Sequence, residues 1–141
     1  MSFIKKGITL EQLNKLSPNT LAENLGIEFI EIGDDFISAK MPVDHRTHQP
    51  LGMLHGGASV ALAETMGSIG AYCYLDNKIQ YCVGLEINAN HIKSIKEGFV
   101  IGTAKPIHIG KKTQVWEIKI KNEQQELICI SRITMAVIDR R

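Results

Sequence analysis

Met53-Leu54-His55-Gly56-Gly57-Ala58-Ser59-Val60-Ala61-Leu62-Ala63-Glu64-Thr65-Met66-Gly67-Ser68-Ile69-Gly70-Ala71-Tyr72-Cys73-Tyr74-Leu75 is the stretch on which the reading of this chain turns. Past its histidine, Glu64 is the only residue certain to carry a charge. A segment this apolar predicts one long helix, buried on most sides, opening at Gly56-Gly57. Leu62, Met66, Ile69 and Cys73 recur at four-, three- and four-residue steps and form one stripe. Glu64 lies about 200° from Leu62 and from Met66, so it points away from that stripe. Its own face consists of Gly57, Ala61 and Ser68, small residues that leave room for a ligand or a second polypeptide. A carboxylate shielded on such a helix, with no lysine or arginine beside it, is expected to have a raised pKa or a chemical task.

The helix start adds the second ingredient. First-turn N–H groups lack intrahelical partners, and the positive end of the dipole lies there, so Gly56 and Gly57 can donate to an anionic oxygen. An acid two turns in and amide donors at the mouth are the minimum parts for splitting an acyl bond. Taken alone, a Gly-Gly pair at a helix start is more often a packing device. A membrane-spanning reading fits by length, but the glycines and the central acid argue against it.

Outward from this helix the chain reads as one α+β domain over residues 1–141. Thr9, with Gln12 three places on, predicts a short capped helix over 9–15. A second short helix runs from about Pro18 to Asn24 and ends at Gly26. Ile27 to Ile32 and Phe36 to Val43 alternate as strands about the Gly33-Asp34-Asp35 turn, and 44–53 is an irregular loop. After Asp76-Asn77-Lys78, four long strands follow at 80–92, 99–108, 113–121 and 127–138, separated by hairpin-length turns. In the third, Trp116, Ile118 and Ile120 share one face. Such an antiparallel sheet needs a cover on its apolar side, and the long helix is the element available, which predicts a curved sheet wrapped around one central helix.

Composition excludes several classes. The 141 residues carry a net charge of +1, which demands no nucleic-acid partner. Met1 to Leu10 has Lys5 and Lys6 with no apolar run behind them, so no secretory leader is read and a cytoplasmic location is expected. Cys73, Cys82 and Cys129 are odd in number, widely spaced and set in apolar segments, which suits small buried hydrophobes. His45, His48, His55 and His91 lack the companions of a tetrahedral metal set, so no metal is expected. Residues 91–121 hold seven lysines against two glutamates, whereas 23–44 hold six acids against Lys40. One half of the chain is thus basic and suits anionic phosphates.

Several blocks, in order, carry a family resemblance: Met41-Pro42-Val43-Asp44, Gln49-Pro50-Leu51-Gly52, Leu54-His55-Gly56-Gly57-Ala58-Ser59, Ala63-Glu64, Gly67-Ser68 and Val83-Gly84-Leu85-Glu86-Ile87-Asn88-Ala89-Asn90-His91. The chain resembles the hotdog-fold acyl-CoA thioesterases from about Ile8 to Ile138. Within them it is most similar to the branch holding the Glu-dependent 4-hydroxybenzoyl-CoA thioesterase and the 1,4-dihydroxy-2-naphthoyl-CoA hydrolases of menaquinone synthesis. The resemblance implies that Glu64 is the nucleophile or the general base. It implies that the Gly56 N–H polarises the thioester carbonyl, with help from Gln49 or His55, and that Ser68 orients the reacting groups. Coenzyme A, part of the substrate rather than a cofactor, would lie on His91-Ile92-Lys93-Ser94 and His108-Ile109-Gly110-Lys111-Lys112-Thr113, with Gly84 nearby. Family members place their sites between subunits, so a homodimer or homotetramer is implied. For the acyl group, the positions adjoining the implied site suggest Leu51, Met53, Ile69 and Tyr72, although apolar residues at such spacings are more often plain core. A hotdog hydratase or dehydratase and a non-catalytic acyl-CoA sensor are the competing readings. The first uses differently spaced acid and histidine motifs, and the second would be expected to lack the acid.

Overall fold

The computed structural model describes residues 7–141; Lys5 and Lys6 lie outside them. In chain order the elements are α1 (Leu10–Asn14), α2 (Leu21–Leu25), β1 (Glu28–Ile32), β2 (Ile37–Pro42), α3 (Gly56–Tyr74), β3 (Gln80–His91), β4 (Phe99–Ile109), β5 (Thr113–Asn122) and β6 (Leu127–Asp139). The strands form one antiparallel sheet in the order β1-β2-β4-β5-β6-β3. The sheet wraps α3, which packs against β2 through β6, as the sequence patterning predicts.

Alternation decides which face each strand turns inward. On β5, Gln114, Trp116, Ile118, Ile120 and Asn122 are buried, and the residues between them point outward. The buried Gln114 is satisfied because its Oε1 accepts from Trp116 Nε1 at 2.9 Å. Leu62 and Met66 of α3 join Trp116, Ile118, Ile120, Ile133 and Met135 in the core. Removing these side chains from water supplies the main driving force for closing the sheet on the helix.

The two short helices are held specifically. Thr9 and Gln12 form a complete capping box on α1. Gly26, at φ +71°, ends α2 in the left-handed conformation. The Asn14 amide then bonds Phe29 twice, donating to its carbonyl at 3.0 Å and accepting from its N–H at 2.8 Å. This mimics a strand pairing and ties α1 to the free edge of β1.

One expectation needs correcting. The long helix is not buried on most sides, because it packs on the sheet through one face only. Ala58, Ser59, Leu62, Ala63, Met66, Gly67, Gly70, Ala71 and Cys73 are buried, whereas Glu64 is exposed. Val60 and Ala61, on the other face, are half-buried, and Ile69, at the edge of the stripe, packs against the core while lining the hollow beside Glu64.

The helical glycines let α3 approach the sheet closely. A methyl on Gly70 would lie 2.7 Å from the Trp116 ring, and one on Gly67 would lie 2.4 Å from Ile133. Gly→Ala inside a helix ordinarily gains about 1 kcal/mol. Overpacking a rigid core costs about 1–3 kcal/mol, so the clash wins here. Gly70→Ala should lower unfolding stability by about 1 kcal/mol in a denaturant titration. A stabilised variant would contradict the close approach.

Candidate active site

The loop between β2 and α3 sets the helix mouth. The Thr47 hydroxyl donates to the Pro42 carbonyl at 2.7 Å, and the His55 N–H donates to the Thr47 carbonyl at 2.8 Å. The Arg46 guanidinium grips the Asp44 carboxylate through two nitrogens and holds its pKa well below the usual carboxylate range. A depressed carboxylate contributes above its ordinary pKa and loses that contribution as acid protonates it. The pair is exposed, so salt screens it. The Gln49 side-chain oxygen accepts from the Leu51 N–H, which leaves the amide's NH₂ as the group free to donate.

At the start of α3 the donors are unequal. His55 is the N-cap, and its Nδ1 accepts from the Gly57 N–H at 2.7 Å. Ala58 and Ser59 N–H groups donate to the His55 carbonyl. The pair of free amides expected from Gly56-Gly57 is therefore a single one: Gly57 is spent on the cap, and Gly56 keeps its N–H. Because Nδ1 accepts, the His55 ring carries its proton on Nε2 and can donate from there. Sequence reasoning missed the cap, since histidine is not among the residues favoured at that position.

Gly56 opens onto a cleft of about 270 Å³ that it shares with Gln49, Met53, His91, Lys93 and Ser94; Ile92 also borders it. The His91 ring lies against Gly56, with Nε2 2.8 Å from where a Cβ would stand. Lys93 reaches the Glu126 carboxylate, which also accepts from Asn122 Nδ2 at 3.1 Å. These bonds lower the Glu126 pKa, chiefly through Lys93.

Glu64 belongs to a different hollow, about 300 Å³, between α3 and the two short helices, which Ser68 and Ile69 also line. Its carboxylate rests over β3, with Oε1 2.9 Å from the position of a Cβ on Gly84. Glu64 is therefore not shielded within one chain, contrary to the expectation from its helix.

Other predicted residues are placed elsewhere. Tyr72 borders a third hollow beside Ile8, Gln12 and Asn77, and Leu51 is 77% exposed on its loop. The two segments assigned to coenzyme A lie apart. His91 pairs with Cys129 of β6, while Thr113 pairs with Ala136 of the same strand. Seven residues of strand separate them by about 23 Å, so His108 to Thr113 lie at the Gly84 end and His91 to Ser94 at the Gly56 end. The basic half is likewise dispersed. Lys105, Lys119 and Lys121 line a groove on the outer face of the sheet, away from α3. The signal was present, because Lys119 and Lys121 alternate with the buried Ile118 and Ile120.

Along α3 the Gly56 amide and the Glu64 backbone are eight residues, or about 12 Å, apart. A donor and an attacking group addressing one carbonyl must each come within about 3 Å of it. One chain does not bring the two together. Among the described residues, no group of three or more His, Cys, Asp or Glu is arranged to hold a metal.

The family model of the thioesterase superfamily matches residues 51–129. The chain belongs to that superfamily. This thioesterase is 51% identical to the 1,4-dihydroxy-2-naphthoyl-CoA hydrolase of Escherichia coli strain K12, over 95% of its own length and 98% of the relative's. Among solved structures it is similar to a Pseudomonas aeruginosa thioesterase crystallised as a Gln→Ala mutant, at 47% identity and TM-score 0.93, covering 94% of this chain and 96% of that one. A Staphylococcus aureus thioesterase, solved as a Glu→Ala mutant, is 44% identical with TM-score 0.83, covering 86% of this chain and all of that one. The same protein was also solved as a Gln→Ala mutant. The fold is thus the hotdog fold of thioester hydrolases.

The cap gives a direct test of the helix mouth. His55→Ala should cost about 1 kcal/mol of stability, and His55→Asn, which restores an accepting side chain, should recover most of it. Equal unfolding midpoints for both variants would contradict the cap.

Proposed function

We propose that this thioesterase hydrolyses acyl-CoA thioesters, with aromatic acyl groups preferred, at sites built between two copies of the chain. The observation that carries the reading is the unspent Gly56 N–H at the positive end of the same helix that bears Glu64. In this proposal one subunit supplies Glu64 and Ser68. Its partner supplies the Gly56 N–H and the donors of Gln49 and His55.

The chemistry needs little else. Glu64 either attacks the thioester carbon or takes a proton from the water that does. The Gly56 amide, at the positive end of the dipole, stabilises the charge that grows on the carbonyl oxygen. The C–S bond breaks, the thiolate of coenzyme A leaves and is protonated by solvent, and where Glu64 is the nucleophile water then opens the mixed anhydride to release the acid and restore the carboxylate. No metal or cofactor takes part in the proposal. Lys93 and His91, in the cleft with Gly56, are the groups placed to meet the coenzyme A arm.

Two relations support the reading. In the S. aureus thioesterase the mutated Gln and Glu stand fifteen residues apart, as Gln49 and Glu64 do here. The relative at 51% identity acts on an aromatic CoA thioester by its name. A second subunit is supported by the 12 Å separation and by the open edge of β3, where Tyr81, Val83 and Leu85 are exposed. No helix among the described residues is long and apolar enough to cross a membrane. Three free cysteines suit a reducing compartment, so a cytoplasmic enzyme is part of the proposal.

Glu64→Gln should lower kcat toward benzoyl-CoA by about 10²-fold or more, with KM little changed. Free-thiol release read continuously gives the answer. Wild-type turnover in that variant would remove Glu64 from the reaction. Tight binding of aryl-CoA by the wild type without turnover would instead make the protein a sensor.

A further inference from the structure

The hollow beside Glu64 has a wall that no sequence motif marks. Leu16, just beyond α1, and Leu21, at the start of α2, line it while remaining 44% and 59% exposed. Exposed leucines are common on surfaces, but these two stand on a fixed frame. Asn14 clamps the segment to Phe29 with two hydrogen bonds, and the Glu23 carboxylate accepts from the Asn19 N–H at 2.6 Å. Ser17 and Thr20 N–H groups close successive turns onto Asn14 and Ser17 carbonyls. The buried Phe29 forms the floor, Thr65 and Ile69 of α3 the facing wall, and Glu64 the rim.

Charge decides which part of the substrate this hollow can take. Among the described residues no lysine or arginine lines it, and the one ionisable group there is the Glu64 carboxylate. Phosphates of coenzyme A would be repelled there, whereas an apolar acyl group would lose water on entering. A thioester carbon within reach of Glu64 carries two substituents, and of these the apolar acyl group is the one this lining suits. The volume, about 300 Å³, lies at the lower end of ligand pockets and suits one or two rings or a medium chain.

We infer that the groove between α1, α2 and the Glu64 face of α3 is the acyl subsite, and that Leu16 and Leu21 determine which acyl groups are hydrolysed. The inference rests on the proposed role of Glu64, and it moves the acyl-contacting role from Tyr72 to the N-terminal helices.

The test is a panel of acetyl-, benzoyl- and 1,4-dihydroxy-2-naphthoyl-CoA, with kcat/KM measured for wild type, Leu16→Trp and Leu21→Trp. Filling the groove should lower kcat/KM for the ring-bearing thioesters by about 10-fold or more and for acetyl-CoA by less than about 3-fold. Leu16→Ala and Leu21→Ala, which open the groove, should shift the preference toward the larger acyl group, and they answer the question if a Trp variant melts early. An unchanged ranking, or an equal loss on every thioester, overturns the assignment. An equal loss accompanied by a changed mass in light scattering would assign the leucines to a subunit contact instead. Failure of the underlying reading is distinguishable, because Glu64→Gln would then leave the whole panel turning over.

Discussion

The constraint on which the structure depends is the packing of one rigid helix, by one face, into a curved sheet. Gly67 and Gly70 let α3 sink onto Ile133 and Trp116, and Leu62 and Met66 fill the space between helix and strands. That seating fixes the rotation of the helix and so fixes where Glu64 points. It also fixes the distance between Glu64 and the helix mouth, because an α-helix does not compress. The acid and the amide are therefore precisely placed groups that address different volumes of space.

In the proposed reading, placement of this kind makes function a matter of assembly. In an isolated chain Glu64 is solvated, and a solvated carboxylate has little of the reactivity that a partly desolvated one has. A second copy related by a two-fold axis can bring each Gly56 mouth toward the other chain's Glu64 and cover both at once. The exposed edge of β3 and the half-covered apolar residues on the outer face of α3 provide surface for such a contact. The N-terminal helices, clamped through Asn14, line the hollow beside the carboxylate. In the proposed reading the two ends of the substrate are separated, the groove beside Glu64 taking the acyl group and the polar cleft with Lys93 the coenzyme.

Much of the fold was legible because local patterning and global packing agree. Strand alternation around Trp116, Ile118 and Ile120, the Thr9–Gln12 cap and the Gly26 stop all appear where their spacing predicts them. Helical periodicity correctly separated Glu64 from the Leu62–Met66 stripe. It could not say what covers the other face, since periodicity tells which residues share a side and nothing of their neighbours. The groove wall at Leu16 and Leu21 was illegible for a related reason: those residues meet Glu64 only through the fold, more than forty positions away. Lysines clustered in sequence were misleading, because period-two alternation sends Lys105, Lys119 and Lys121 to the sheet face opposite α3. The helix mouth was half legible, with a first-turn amide left free at Gly56 foreseen and His55 as the cap of Gly57 not.

Subunit complementation tests the central claim most directly. Glu64→Gln and Gln49→Ala chains, each purified alone, are mixed under conditions of subunit exchange and assayed for thioester hydrolysis. If each site takes Glu64 from one chain and Gln49 from the other, half of the sites in every mixed dimer are intact. Activity should then rise from near zero to about a quarter of wild type. A mixture whose activity stays at the average of its two components would contradict a site shared between chains.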